Sequence, residues 1–226
     1  MSPDTAKAIA SWVALPPERF PVIANGIPLE RFATGIAAAA DVESWLAGRF
    51  GIAMTARLVR PKAHEVALSA LAMLPERYCM VFAGEGTERE RLEALALYLG
   101  VGDRCRFLGS RQDIGAILAA CRLYVQTSLV EGFGIASLEA MACGLPVVAS
   151  DAPGLGDLVR GAGLLFPPGD GEACARAIER IAADPGLASS LVSAGFDRAN
   201  ANSIGRCADA YAGLYKSLAS PGEIHP

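Results

Sequence analysis

The sequence predicts an α/β fold: a doubly wound parallel sheet with helices on both faces and further helices at its C-terminal end. Three observations carry this. Short apolar runs of strand length alternate about six times with longer helical patterns. The runs FGIAMT (50–55) and YCMVFA (78–83) are mostly apolar rather than alternating, as in strands covered on both faces. Glycine and proline punctuate the joints between them. Apolar residues are 52% of the 226, which supports a sizeable core and argues against a disordered chain.

The elements follow in order. A short helix is expected near Thr5–Val13, broken by Pro16-Pro17. Phe20–Ile23 (FPVI) reads as a short strand running into the turn Asn25-Gly26-Ile27-Pro28. Ala37–Ala47 reads as a helix with Val42, Trp45 and Leu46 on one side. Strand Phe50–Thr55 leads to a loop carrying Arg57 and Lys62, where ligands bind in open α/β sheets. Helix His64–Leu74, strand Tyr78–Ala83 and the turn Gly84-Glu85-Gly86 come next. Helix Glu88–Leu99 reads as strongly amphipathic and stops at Gly100. Strand Cys105–Leu108, helix Ile114–Cys121 and strand Leu123–Gln126 follow. After the central stretch come a Gly/Pro-rich loop, strand Gly163–Phe166 and three helices: Glu172–Ala183 with Asp170 as N-cap, Leu187–Asn200 and Ile204–Ser220.

The chemistry concentrates in QTSLVEGFGIASLEAMACGLPVVASD, Gln126 to Asp151. It reads as strand end, glycine turn, helix and strand. The turn Gly132-Phe133-Gly134 opens a helix, Ile135–Cys143, with Leu138, Met141 and Ala142 inward. Gly144 and Pro146 stop it. Free amides and the positive dipole end at such a start suit a diphosphate. Glu139, one turn into the helix, faces the same crevice and can accept two sugar hydroxyls. Glu131 precedes the turn. The stretch is built to hold a phosphate with a sugar on each side of it.

Composition narrows the class. With 20 basic and 24 acidic residues and no basic block, nucleic acid is not an expected partner. Six scattered cysteines without a C-x-x-C pair read as buried reduced thiols, and two histidines argue against a histidine-rich metal site. His64, at a helix start, reads as solvated or capping, and His225 as part of a frayed tail. The first residues lack the basic and apolar regions of a signal peptide. No apolar run reaches the length of about 18 residues that spans a membrane.

The run EGFGIASLEAMACGLPVVASD resembles the donor-site signature of the family-4 (group 1) retaining glycosyltransferases, which have the two-domain GT-B fold. Further pieces arrive in the family's order. Asn25-Gly26-Ile27 with Phe32 resembles its N-G-V-D…F hinge, and Arg57-Leu58 with Lys62 its G-R-L-x-x-x-K-G loop. Phe82-Ala83-Gly84-Glu85-Gly86 resembles its V-G-D-G turn. Arg106–Gly109 resembles its R-F-L-G strand, and Pro168-Gly169-Asp170 its P-G-D. The resemblance covers roughly residues 20 to 217.

The resemblance implies a Rossmann-like C-terminal half of a GT-B fold over residues 20–220, with a lead segment at 1–19 and a tail at 221–226. It implies transfer of a hexose, with retention, from a UDP-, GDP- or ADP-sugar to a glycan or lipid acceptor, without cofactor or metal. Arg57, Lys62 and Glu131 would be the catalytic set: two cations for the diphosphate leaving group and a carboxylate for the transferred sugar. Glu139 would hold the ribose. Gly84, Gly86, Gly132, Phe133, Gly134 and Ile135 would complete the donor site, with the base near Leu108 to Arg111. The family's acceptor-binding N-terminal domain is not in this sequence, so the expectation is either a piece of a longer protein or a separately encoded N-terminal partner. The expected location is the cytoplasm, including peripheral association with the inner membrane face.

The chain departs from the family at four places. Ala56 and Ala63 replace glycines flanking the Arg57–Lys62 loop. Val130 replaces an aromatic. Pro153-Gly154-Leu155-Gly156-Asp157 replaces G-G-x-x-E. A non-catalytic nucleotide-sugar-binding or assembly module stays open as the alternative. A GT-B sugar epimerase and a dinucleotide-binding dehydrogenase domain are the minor alternatives. For the latter, Gly84-Glu85-Gly86 supplies G-x-G, but Arg89 occupies the third glycine position.

Overall fold

The computed structural model describes residues 10–14, 16 and 20–219. Expectations for 1–9, for 221–226 and for His225 fall outside these residues. Six parallel strands form one sheet: β1 (Phe50–Thr55), β2 (Tyr78–Ala83), β3 (Cys105–Gly109), β4 (Leu123–Gln126), β5 (Val147–Ser150) and β6 (Leu164–Phe166). Their order is β3-β2-β1-β4-β5-β6. The chain therefore reverses its direction of winding between β1 and β4, which pair through Ile52 with Leu123 and Ala53 with Tyr124. Such a switch point opens a crevice at the carboxyl ends of the two strands.

Alternate residues of each strand feed opposite cores. Ile52, Met54, Met80, Phe82, Leu123 and Val125 face one side. There they meet α2 (His64–Met73), α3 (Arg89–Tyr98) and α7 (Gly171–Ala183). Ala53, Cys79, Val81, Tyr124, Val147 and Ala149 face the other. There they meet α1 (Ala40–Leu46), α4 (Ile114–Ala119), α5 (Ile135–Ala142) and α6 (Gly156–Val159). Burial on both faces explains why the strands read as continuous apolar runs. The helices α8 (Pro185–Ala201) and α9 (Ile204–Ala219) close the chain.

Several boundaries differ from expectation. Phe20–Ile23 is not a strand. Pro21 removes one ladder donor, and the extended segment pairs further on: Ile27 N–H donates to Asn202 O (3.0 Å) and Ile204 N–H to Ile27 O (2.9 Å). The N-terminal segment is thus tied to the α8–α9 junction. Gly26 is required there, because a Cβ would lie 2.6 Å from Ser203 O. The helix expected from Ala37 starts at Ala40, since Ala39 is extended and its N–H bonds Ala116 O. Of the expected helix at Thr5–Val13, residues 10–12 are described and helical. α3 is less amphipathic than its sequence suggests: it buries Leu92 and Ala96 but leaves Leu97 74% and Tyr98 86% exposed. Asp184-Pro185-Gly186 does not interrupt but starts α8, with Asp184 accepting from Leu187 N–H at 2.9 Å and proline at the first turn. Asp170 caps α7 as expected, accepting from Ala173 N–H at 2.8 Å.

Ala47 ends α1 in the left-handed region (φ 48, ψ 42) and is exposed. Glycine at such a C-cap avoids the Cβ clash, against a smaller loss of chain entropy. Ala47→Gly is expected to raise the unfolding free energy by about 0.5–1 kcal/mol, read as a higher urea midpoint at unchanged slope.

Candidate functional site

The crevice at the switch point holds a cavity of about 450 Å³. Thr55 and Ala56 reach it from the end of β1, Gln126 from the end of β4, and Asn25 from the N-terminal segment. Lys62, Glu131, Gly132, Phe133, Gly134 and Ile135 line it as well, so six expected site residues meet here. Two loops make this convergence possible. Leu129 N–H donates to Pro61 O at 2.8 Å, and the Thr127 hydroxyl lies 2.9 Å from the carbonyl oxygens of both Lys62 and Ala63. These bonds stitch the β4 exit to the β1 exit.

Lys62 and Glu131, 69 residues apart in sequence, form an ion pair whose side chains are 19% and 14% exposed. Glu131 Oε1 accepts from Lys62 Nζ, from Gln126 Nε2 (3.1 Å) and from Ser128 Oγ (3.0 Å). No hydrogen bond among the described residues goes to Oε2. The backbone of Glu131 is gripped by the loop after β5. Its N–H donates to Pro153 O (3.1 Å), and a Cβ on Gly154 (φ +80) would lie 1.9 Å from its carbonyl oxygen. Gly154 of the departing Pro153–Asp157 segment therefore serves this contact.

Gly134 adopts φ +89 and starts α5. The amides of Ile135 and Ala136 have no backbone acceptor among the described residues, and both residues line the cavity. Free N–H groups at a helix start attract an anion. Phe133 packs partly against the core, as expected for a residue of the turn.

One turn along α5, Glu139 lines a second cavity of about 350 Å³ with Arg31, Phe32 and Ile36. Burial pushes its carboxyl up to about 7, and Arg31 only partly offsets this. Arg111 also lines this cavity. Its guanidinium is clamped by Asp113 (2.7 and 2.6 Å) and Asp41 (2.9 and 3.3 Å). The hydrogen bonds from Arg111 hold both carboxylates below their ordinary range.

Arg57, Gly84, Gly86 and Leu108 line neither cavity. Arg57 is exposed, with no ion pair among the described residues. Gly84 and Gly86 are required by the loop after β1: a Cβ would lie 2.0 Å from Ala56 O or 2.1 Å from Leu58 O. Leu108 is half-buried against the core. His64 corrects the expectation of a solvated or capping residue. It is 1% exposed, its ring lies 5.7 Å from Phe82, and its Nε2 has no partner. Burial, with Lys62 nearby, lowers its pKa to about 4. Ala63 stands at φ 48 at the start of α2, a left-handed position that suits the glycine it replaces. Val130 is exposed beside the cavity's Glu131.

Sequence reading missed Asn25 and Thr55 as site residues, along with Arg31, Asp41 and Asp113. It also missed Gln126, although a polar residue ending a buried strand is a usable signal. Among the described residues no group of three or more His, Cys, Asp or Glu could hold a metal ion. The described cysteines are all free, with Cys143 and Cys207 only half-buried. No helix among these residues is long and apolar enough to cross a membrane.

The raised Glu139 pKa carries a stability signature. The folded state keeps the proton between the ordinary value of 4.5 and about 7, so wild-type stability falls as pH rises through that window. Glu139→Gln has no such slope. Its melting temperature is expected to exceed that of the wild type at pH 8, with the gap closing toward pH 5 in scanning calorimetry.

Comparison with known proteins agrees with this geometry. The family model for glycosyl transferases group 1 matches residues 41–198. The lipopolysaccharide core biosynthesis glycosyltransferase LpsE of Rhizobium meliloti (strain 1021) is 38% identical over 143 residues, 62% of this chain and 42% of that one. The D-inositol 3-phosphate glycosyltransferase of Saccharomonospora viridis is 34% identical over 217 residues, 88% of this chain and 50% of that one. Among solved structures, Anabaena Alr3699/HepE in complex with UDP-glucose superposes with a TM-score of 0.82 at 28% identity, covering 90% of this chain and 59% of that one. This chain thus spans 42% and 50% of the two curated relatives. With its signature run folded around the switch-point cavity and the family model matching over 41–198, the chain belongs to the group 1 glycosyl transferases.

Proposed function

We propose that residues 20–220 are the donor-binding domain of a retaining, metal-independent hexosyltransferase that uses a nucleotide-diphospho-sugar. The observation that carries this is the convergence of Lys62, Glu131 and the open start of α5 on one cavity, with Glu139 one turn further along. In this reading the diphosphate lies against the amides of Ile135 and Ala136. Lys62 balances its charge from within the crevice and Arg57 from the rim. Positive charge fixed beside the leaving group in a partly dry site stabilises the bond-breaking transition state. Glu131, through its open Oε2, accepts hydroxyls of the transferred sugar. Glu139 accepts the ribose diol as a carboxylate. The base occupies the second cavity toward Leu108 and Arg111, with Gly84 and Gly86 shaping the loop behind it.

UDP is the first nucleotide to test, because Alr3699/HepE is complexed with UDP-glucose. The acceptor is a glycan or a lipid. Transfer needs a second domain, which supplies the other wall of the cleft and excludes water. The exposed face of α9, with Ile204, Tyr211, Tyr215 and Leu218, suits packing against such a domain. The setting that fits is the cytoplasm, at the inner membrane face when the acceptor is a lipid.

Calorimetric titration with UDP, GDP, ADP and their sugar conjugates tests the reading. One nucleotide is expected to bind, and Glu139→Ala to weaken it by roughly ten- to a hundred-fold, the loss of a charge-assisted hydrogen bond. Absence of binding by the folded chain at millimolar nucleotide would count against it. Affinity is further expected to fall as pH drops below about 7, because protonated Glu139 accepts the diol less well.

A further inference from the structure

A buried chain of hydrogen bonds runs behind the switch-point cavity. Thr55 Oγ1 lies 3.3 Å from Tyr124 OH, and Tyr124 OH donates to Gln126 Oε1 at 2.5 Å. Gln126 Nε2 then donates to Ser128 Oγ (2.7 Å) and to Glu131 Oε1 (3.1 Å). The direction of the chain is imposed from one end. A carboxylate can only accept, so Nε2 of Gln126 must face Glu131, and Oε1 must face Tyr124. Tyr124 is wholly buried and lines neither cavity of the site, so it can act only through its neighbours. Burial also raises its pKa, which keeps the phenol a donor.

We infer that Tyr124 is a positioning residue: its hydroxyl sets the Gln126 amide, which fixes Glu131 with Oε1 saturated and Oε2 open to the cavity, and so holds Lys62 in register with Glu131. Without the hydroxyl the amide oxygen loses the donor that anchors it. If it turned over, its oxygen would oppose the carboxylate. Consecutive donors pointing the same way polarise one another, so loss at Tyr124 is felt at the far end of the chain.

The inference rests on the donor reading only for its functional arm, and a second arm is independent of any ligand. The lysines of the chain are Lys7, Lys62 and Lys216, so reductive ¹³C-methylation yields three resolvable side-chain signals. Lys62 is assigned by loss of its signal in Lys62→Arg. In Tyr124→Phe the Lys62 signal is expected to move toward its position in Glu131→Gln, with Lys7 and Lys216 unmoved. An unmoved Lys62 signal overturns the inference whether or not any nucleotide binds. In the functional arm, UDP and UDP-glucose are titrated into wild type and Tyr124→Phe. The ratio of the two affinities is expected to fall several-fold, because the sugar contact is weakened. A general loss of structure would lower both affinities together, and that result also overturns the inference. Gln126→Met guards against misfolding of the first variant and is expected to shift Lys62 in the same direction. In that background Tyr124→Phe is expected to add nothing. An additive second shift would mean that Tyr124 acts by another route.

Discussion

The parallel pairing of β1 with β4 is the constraint on which the site depends. These strands are 71 residues apart at their first pair, Ile52 with Leu123, yet they lie side by side because the chain changes winding direction between them. Their ends deliver Thr55 and Gln126 to one crevice. The ion pair of the first cavity is then hung from the two exit loops. The loop after β1 brings Lys62, the loop after β4 brings Glu131, and Thr127 and Leu129 sew the two together through backbone carbonyls. Neither loop could hold its charged side chain in a half-buried position alone, since an unpaired charge there is strongly penalised.

The site is expensive in stability, in ways that fit a binding function. Glu139 is buried with only partial compensation from Arg31, and its proton is held to about pH 7. His64 Nε2 and Ser137 Oγ are buried without partners. Ala63 sits in a left-handed conformation. Burial of unsatisfied polar atoms and local backbone strain concentrate where a chain is shaped for something other than its own folding. The two continuous cores on either face of the sheet offset these costs. The ion pair of Lys62 with Glu131 has a further meaning. In the free chain the carboxylate already occupies the cation, so Lys62 presents a pair rather than a bare charge to the cavity.

The departures from the family pattern find structural accounts of different kinds. Ala63 shows the strain that a glycine at that place would avoid. In the loop after β5, Gly154 is held by close approach to Glu131 O, and Gly156 by approach to Asp151, whose Oδ1 would lie 2.1 Å from a Cβ. Gly84 and Gly86 answer to the same kind of demand, from Ala56 and Leu58. Glycines that look like ligand contacts in sequence are thus partly glycines of backbone crossing. Both uses need the absence of a Cβ, and the sequence does not distinguish them.

The sequence by itself determined the strands, their burial on both faces, the α5 start at Gly134 and the cap at Asp170. These rest on local rules: apolar runs, turn residues and capping side chains act over a few neighbouring positions. It also marked Lys62, Glu131 and Glu139, because the signature run and the β1 loop carry them in recognisable order. Only the tertiary structure decided that Phe20–Ile23 stays out of the sheet, that His64 is buried, and that Arg111 is clamped by Asp41 and Asp113. The same holds for the separation of the site into two cavities and for the path from Thr55 through Tyr124 and Gln126 to Glu131. The physical reason is distance along the chain. Partners 69 residues apart are chosen by strand order and loop packing, and no local preference of either residue encodes that choice.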